Sequence, residues 1–166
     1  MAYLLDANVF IQAKNLHYGL DFCPAFWDWL AQANAAGHVF SIEKVGDELK
    51  AIADDLSTWA EGQGPSFFLT PVPAMLGSLA TVSSWATGPR YDPAAVNTFL
   101  QAADYYLVGH ALALGCTVAT HEVASTSTKK IKIPDVCIGL GIKCVTPFEM
   151  LRNSRARFVL ASAATR

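Results

Sequence analysis

The chain has 166 residues, 52% of them hydrophobic, and a formal net charge of −2, which suits one ordinary globular domain with a buried core. Its cysteines, Cys23, Cys116, Cys137 and Cys144, form no C-x-x-C pair and sit among apolar neighbours, so buried free thiols are expected rather than a zinc site or a disulfide scaffold. It holds no uninterrupted apolar run of about 18 residues, and MAYLLDANVF lacks the basic flank and cleavage site of a signal peptide, so no membrane partner and a cytoplasmic location are expected.

AYLLD is a short apolar run that ends in an acid, the pattern of a buried strand whose last residue emerges at the sheet edge. A short helix over 9–14 is expected next, with Asn8 as its cap. Pro24 sits where a first-turn proline belongs and opens a helix through FWDWLAQANAA that stops at Gly37. HVFS follows as the second strand. Ser41 is expected to cap a helix over about 42–53, its hydroxyl accepting a bond from a first-turn amide, and residues 55–61 to continue helically after a bend. GQGP reads as a loop, FFLT as a strand or extended link, and MLGSLATVSSWA as a helix closed by Thr87-Gly88-Pro89. Asp92-Pro93 supplies an N-cap and a first-turn proline for helical periodicity running to Leu114, with a break near 101–103 and Gly115 as the stop. CTVAT is a β-branched strand leading to Thr120-His121-Glu122, STSTKK a polar loop, and IKCVT a last strand before a PFEMLRN helix. Strands alternating with helices argue an α/β fold with a parallel sheet.

Two acids share one placement. Asp6 follows YLL and Glu122 comes just after TVAT, so both stand beyond the carboxyl ends of strands, where open α/β sheets bind their ligands. Clustered carboxylates are costly without a divalent cation, and oxygen-only ligands select hard ions such as Mg2+ or Mn2+, which polarise phosphodiesters and activate water. Singly each acid is a weak signal, because a strand-end Asp commonly serves a turn. The joint pattern carries more: an apolar strand, D-A-N, Glu48 on a helix some forty residues on, Asp104 on another helix, and a strand-end acid about eighteen residues after that.

Three acids of SIEKVGDEL compete for the site. On a helix turning about 100° per residue, Val45, Leu49, Ile52 and Leu56 fall in one stripe that faces the core. Glu48 lies roughly 70° from its centre, at the rim, whereas Glu43 and Asp47 lie roughly 150° away, toward water. Asp55 would share the rim roughly 10 Å further along.

With these residues in place, the chain resembles the PIN-domain nucleases, which include the VapC-like toxins of bacterial toxin-antitoxin pairs. The matching motifs are LLDANVFI at 4–11, VGDEL at 45–49, ADYYLVGHALALGCTVATHE at 103–122 and KIKIPDVC at 130–137. The similarity runs over nearly the whole chain and looks closest to a PIN-like subfamily known only as a domain of unknown function. The resemblance implies a single PIN-like domain over 1–166, a three-layer α/β/α fold with a central parallel sheet, and endonucleolytic cleavage of RNA at a Mg2+ or Mn2+ site. Carried over by motif, Asp6, Glu48 and Asp104 would be the acidic triad and Glu122 the fourth acid, all holding metal, with Asn8 and Thr120 as polar groups behind them. The family usually has Asp at the fourth place; here it is His-Glu, whose longer side chain can reach an ion through water. An antitoxin and a second copy of the chain are the implied protein partners.

Charge is unevenly spread. Lys129, Lys130, Lys132, Lys143, Arg152, Arg155, Arg157 and Arg166 face only Asp135 and Glu149 in the last part of the chain, while Lys14, Lys44, Lys50 and Arg90 share the rest with all the other acids. One part could therefore hold cations while the other meets a polyanion, and Lys129, Lys130 and Lys132 are the expected RNA contacts, against the plainer reading of a solvated basic tail. His121 reads as a hydrogen-bonded residue rather than a general base. Phe22, Phe26, Trp27 and Trp29 read as core or partner surface, because a stacking platform would interleave basic residues. A haloacid-dehalogenase-type phosphatase would need D-x-D where this chain has D-A-N, and a receiver domain would need adjacent acids. The remaining rival is a non-catalytic PIN-like module that binds RNA or protein.

Overall fold

The computed structural model describes residues 1–161; the last five residues of the expected 1–166 domain, Arg166 included, lie outside the described residues. Strand β1 (Tyr3–Leu5) is buried along its length, as a helix-covered sheet demands of a central strand. Helix α1 (Ala7–Gln12) follows at once and runs into a π-helical turn, Ala13–His17; then come α2 (Pro24–Ala35), with its proline in the first turn, and β2 (Val39–Ile42). Helices α3 (Glu43–Lys50) and α4 (Asp55–Glu61) lead to β3 (Phe68–Leu69). Helices α5 (Met75–Ala86), α6 (Pro93–Gln101) and α7 (Ala103–Leu114) precede β4 (Thr117–Ala119), and α8 (Ile133–Leu140), β5 (Cys144–Val145) and α9 (Pro147–Asn153) complete the order.

Among the described residues the strands form one five-stranded sheet in the order β3-β2-β1-β4-β5, parallel at every pairing. Helices cover both faces, so the fold is the expected three-layer α/β/α arrangement around a parallel sheet. Tyr3 pairs with Val39 on one side and Thr117 on the other, and Leu5 pairs with Ala119. The chain winds from β1 outward through β2 and β3 in one direction and places β4 and β5 in the other. Right-handed crossovers then send the helices that follow β1 and β4 to opposite faces, and a crevice opens at the carboxyl ends of these two strands.

Helix α7 packs over β2 and β4 and lies against α5. Gly109 permits that approach, since a Cβ there would stand 2.6 Å from Leu79 Cδ2. Ala102, with φ −86° and ψ 159°, breaks the long helical run where the break was expected and starts α7 afresh, which puts Asp104 in its first turn. Gly115 ends it in the left-handed region at φ 67°. Among the described residues no helix is long and apolar enough to cross a membrane.

Several local expectations are corrected. Asp6, not Asn8, holds the N-cap position of α1, and Asn8 lies inside the helix. Ser41 is a buried strand residue whose hydroxyl donates to Leu5 O at 2.7 Å instead of capping α3, because β2 extends one residue past it. Helix α3 ends at Lys50, so the expected stripe is cut: Val45 and Leu49 are buried, but Ile52 falls in the bend and is 72% exposed, and Leu56 enters the core from the separate helix α4. That second helix starts at a capping box of Asp54 and Ser57, with Lys14 Nζ 2.6 Å from Asp54 Oδ2. Asp92 stands at the N-cap of α6, yet its side chain makes no capping bond. Of the cysteines, all free, only Cys137 is buried and the others are half-buried. The aromatic run divides: Phe26 and Trp27 are core, Trp29 is half-buried and Phe22 is 67% exposed.

Ser41 offers a direct check of the register. Ser41→Ala should cost about 1 kcal/mol by urea denaturation through loss of the bond to Leu5. Ser41→Asp, which would be welcome at a helix cap, should destabilise the protein by several-fold more, because it buries an unpaired charge. A neutral Ser41→Asp would return this residue to the cap.

Candidate active site

Asp6 leaves the end of β1 with 5% of its surface exposed. Its backbone N–H donates to Ala119 O at 3.0 Å, continuing the ladder to β4, and this fixes the carboxylate at the crevice. On the other lip Thr120, the residue after β4, donates its hydroxyl to Asp6 Oδ2 at 2.8 Å. Asn8 Nδ2 donates to Thr120 Oγ1 at 3.2 Å, the Glu122 amide donates to the same oxygen at 3.0 Å, and Asn8 Oδ1 accepts from the His121 amide at 3.1 Å. One turn of α1 is thus stitched to the strand end of β4, with Thr120 bonded to Asp6 and Asn8 to Thr120.

Asp104 enters from the first turn of α7 and Glu48 from the exposed side of α3. Burial, and then the charge of Asp104, raise the Asp6 carboxyl from its ordinary range to about 7, with Glu122 acting in the same direction and the Thr120 hydroxyl against it. Burial, followed by the charges of Glu122 and Glu48, raises Asp104 to about 6, while Lys130 pulls it down. Asp6 therefore feels the charges of Asp104 and Glu122, and Asp104 those of Glu122 and Glu48, so Glu48 reaches the site through Asp104. Glu43 and Asp47 are exposed and contribute nothing to either shift.

Glu122 is not aimed at the other acids. Its Oε2 accepts the Ile133 N–H at 2.8 Å, and its Oε1 lies 4.0 Å from Lys130 Nζ. Among the described residues no three Asp, Glu, His or Cys side chains converge closely enough to form a ready-made metal cage. The donor set nevertheless fits a hard divalent cation: buried Asp6 and half-buried Asp104 are carboxyls raised first by burial and then by neighbouring carboxylates, which makes an oxygen-donor site. Asp6 and Asp104 are the residues that could hold it directly, with Glu48 and Glu122 at the rim.

The matched family is described as a domain of unknown function, DUF4411, and its model covers residues 3–158. The chain belongs to this family. No curated protein and no solved structure matches it. The span shared with DUF4411 runs from β1 past the end of α9 and contains every acid of the crevice.

His121 stacks on His17 with ring centroids 5.4 Å apart, and Phe148 closes edge-on against both at 5.1 and 5.5 Å. Burial, and then the neighbouring His17, push the His121 imidazole below its ordinary pKa. This ring is half-buried packing material rather than a base directed at the acids. Of the three expected RNA-contact lysines, Lys129 and Lys130 line a groove that also touches Asp104, whereas Lys132 is half-buried at the N-cap of α8. The sequence reading missed α8 and the Asp135 anchor: buried Asp135 accepts the Ser125 amide at 3.1 Å and lies 3.8 Å from Arg90. Pro134 in the first turn was the available signal for that helix.

The raised carboxyls fix the sign of a pH dependence. Between pH about 4 and about 7 the folded protein holds a proton on Asp6 that the unfolded chain has released, so stability is greatest at the acidic end and falls as pH rises, by at most ~1.4 kcal/mol per pH unit for this group. Asp104 adds to the slope up to about pH 6. Urea titrations from pH 4 to 8 should show this decline, Asp6→Asn should flatten it, and millimolar Mg2+ or Mn2+ should oppose it near neutral pH. A slope that Asp6→Asn leaves unchanged would place the proton elsewhere.

Proposed function

We propose that the chain is a Mg2+- or Mn2+-dependent endoribonuclease that hydrolyses RNA phosphodiesters at the Asp6–Asp104 crevice, in the manner of the PIN-domain nucleases it resembles. The observation that carries this reading is the pair of carboxyls at the sheet's switch point, buried Asp6 in the field of half-buried Asp104, each held well above the usual carboxylate range. A divalent cation, when bound, supplies the positive charge that polarises a phosphodiester and makes water a better nucleophile. Asp6 and Asp104 would hold it. Thr120 orients Asp6 by donating to Oδ2, and Asn8 keeps the Thr120 hydroxyl pointed that way. Glu48 supplies further negative charge beside Asp104.

A toxin role, with an antitoxin or a second copy of the chain as partner, belongs to the same resemblance. Exposed Phe22 is the aromatic best placed to anchor such a partner. Phe22→Ala should then leave the fold intact and weaken assembly, seen by light scattering of the chain alone and with a neighbouring-gene product; unaltered assembly removes Phe22 from the interface.

One observation favours the second reading, a PIN-like module that binds RNA or protein without cleaving: Glu122 is engaged by Ile133 and Lys130. Cleavage of a labelled RNA decides between them. Activity should require Mg2+ or Mn2+ and fall by orders of magnitude in Asp6→Asn and Asp104→Asn; Glu48→Gln should weaken metal binding and rate, and Glu43→Gln and Asp47→Asn should match the wild type. Undiminished cleavage in EDTA, or an active Asp6→Asn protein, would sink the nuclease reading.

A further inference from the structure

A nuclease site also needs something to hold its substrate, and one groove beside Asp104 has the chemistry. Helix α6 and the segment 129–131 enclose a cavity of about 430 Å3, within the roughly 300–1,000 Å3 typical of small-ligand sites. Its wall on one side is made by Ala94 and Thr98, four residues apart on α6, and by Ala102 just past the end of that helix, with Phe99 and Ile131 as apolar floor. The small side chains leave a slot rather than a packed face. Exposed Lys129 and Lys130 stand on the opposite lip, and Asp104 belongs to the wall. Lys130 also reaches within 4.0 Å of Glu122, so the groove is continuous with the acidic crevice.

The lip is fixed by hydrogen bonds. The Asp92 amide donates to Thr128 O at 3.0 Å, Arg90 Nη2 donates to Ser125 O at 2.8 Å, and Asp135 holds the Ser125 amide. Lys129 and Lys130 are therefore presented on a braced loop. A larger cavity, about 550 Å3 beside Met1, Tyr3 and His38, lies at the amino ends of the strands, away from every acid of the crevice.

We propose that the α6 groove is a nucleotide subsite, taking an unpaired base of single-stranded RNA between its apolar floor and the lysine lip, next to the phosphodiester held at the acids. The assignment rests on the nuclease reading only for what happens at that phosphodiester. The slot accepts a flat, weakly polar ring, the lysines match the phosphates on either side of it, and the charge of Lys130 offsets that of Asp104. A duplex does not qualify, because its bases are stacked and paired and cannot enter a slot of this kind.

The test measures binding and cleavage separately on the full chain. Fluorescence anisotropy of a short single-stranded oligouridylate in EDTA reads the groove without a cation at the acids. Thr98→Trp and Ala94→Trp, each with an unchanged circular dichroism spectrum, should fill the slot and weaken this binding about tenfold or more. Lys129→Ala with Lys130→Ala should flatten its salt dependence. A hairpin of equal length should compete poorly, and a 4-thiouridine probe should crosslink within residues 93–102. The subsite is overturned if both folded tryptophan variants bind the oligouridylate like the wild type, if the hairpin competes equally, or if crosslinks fall outside α6, as they would were the groove a protein-docking surface. Groove-dependent binding without cleavage in Mn2+ leaves the subsite standing and removes the nuclease reading; cleavage with groove-independent binding does the reverse.

Discussion

The Thr120 hydroxyl reaches across the gap between β1 and β4 to donate to Asp6 Oδ2 at 2.8 Å, and the crevice is arranged around that bond. It exists only because the two strands are parallel neighbours in one register: Leu5 opposite Ala119 makes the next residue of each strand meet beyond the sheet edge. Slipping the pairing by one residue would turn Asp6 or Thr120 to the other face and leave a buried carboxylate without its donor. Buried Leu4, Leu5, Val118 and Ala119 pin the register, so core packing determines the geometry of the polar site. Asn8 adds a second clamp from α1, which ties the first helical turn to the strand end it must face.

For both Asp6 and Asp104 the largest cause of the raised pKa is burial, ahead of any neighbouring charge. The depth of the crevice therefore matters more than the number of acids around it. Half-buried Glu122 tunes both central carboxyls and exposed Glu48 tunes Asp104, and neither creates their condition. This also explains why Glu43 and Asp47, on the same short helix as Glu48, stay outside the site: on α3 they project to solvent, and distance through water screens them.

What could be read from the sequence was carried by local signals. The apolar run before Asp6, the first-turn prolines of α2 and α6, the stop at Gly115 and the β-branched run at β4 are set by neighbours in the chain, and each element appears where it was expected. The placing of Asp6 was legible from its strand end and that of Asp104 from its helix, whereas Asn8 and Thr120 were singled out only through the family resemblance. The misreadings have nonlocal causes. Ser41 has the chemistry of a cap, but a carbonyl thirty-six residues earlier takes its hydroxyl. Ile52 fits the helical stripe by phase and is expelled because Asp54 and Ser57 begin a new helix. The α6 groove arises only when segment 129–131 folds back over a face that, read alone, is a run of small residues.

Helix α8 shows the same principle at the site itself. Its N-cap residue is Lys132, which cannot accept a bond from a helix amide, so first-turn Pro134 is the local sign of a helix start and the cap itself must come from elsewhere. The acceptor comes from Glu122, eleven residues back, whose Oε2 takes the Ile133 N–H. An Asp at this place is one methylene shorter; the longer Glu spans from the end of β4 to the head of α8 while its charge still bears on Asp6 and Asp104. One carboxylate thus closes the loop that carries Lys129 and Lys130 and also contributes to the crevice field. Because Lys130 lies 4.0 Å from the other oxygen of the same group, the basic lip and the acidic crevice are coupled through Glu122. The charge of the crevice and the position of the basic lip are therefore set by one side chain, and neither can shift without disturbing the Ile133 N–H bond that caps α8.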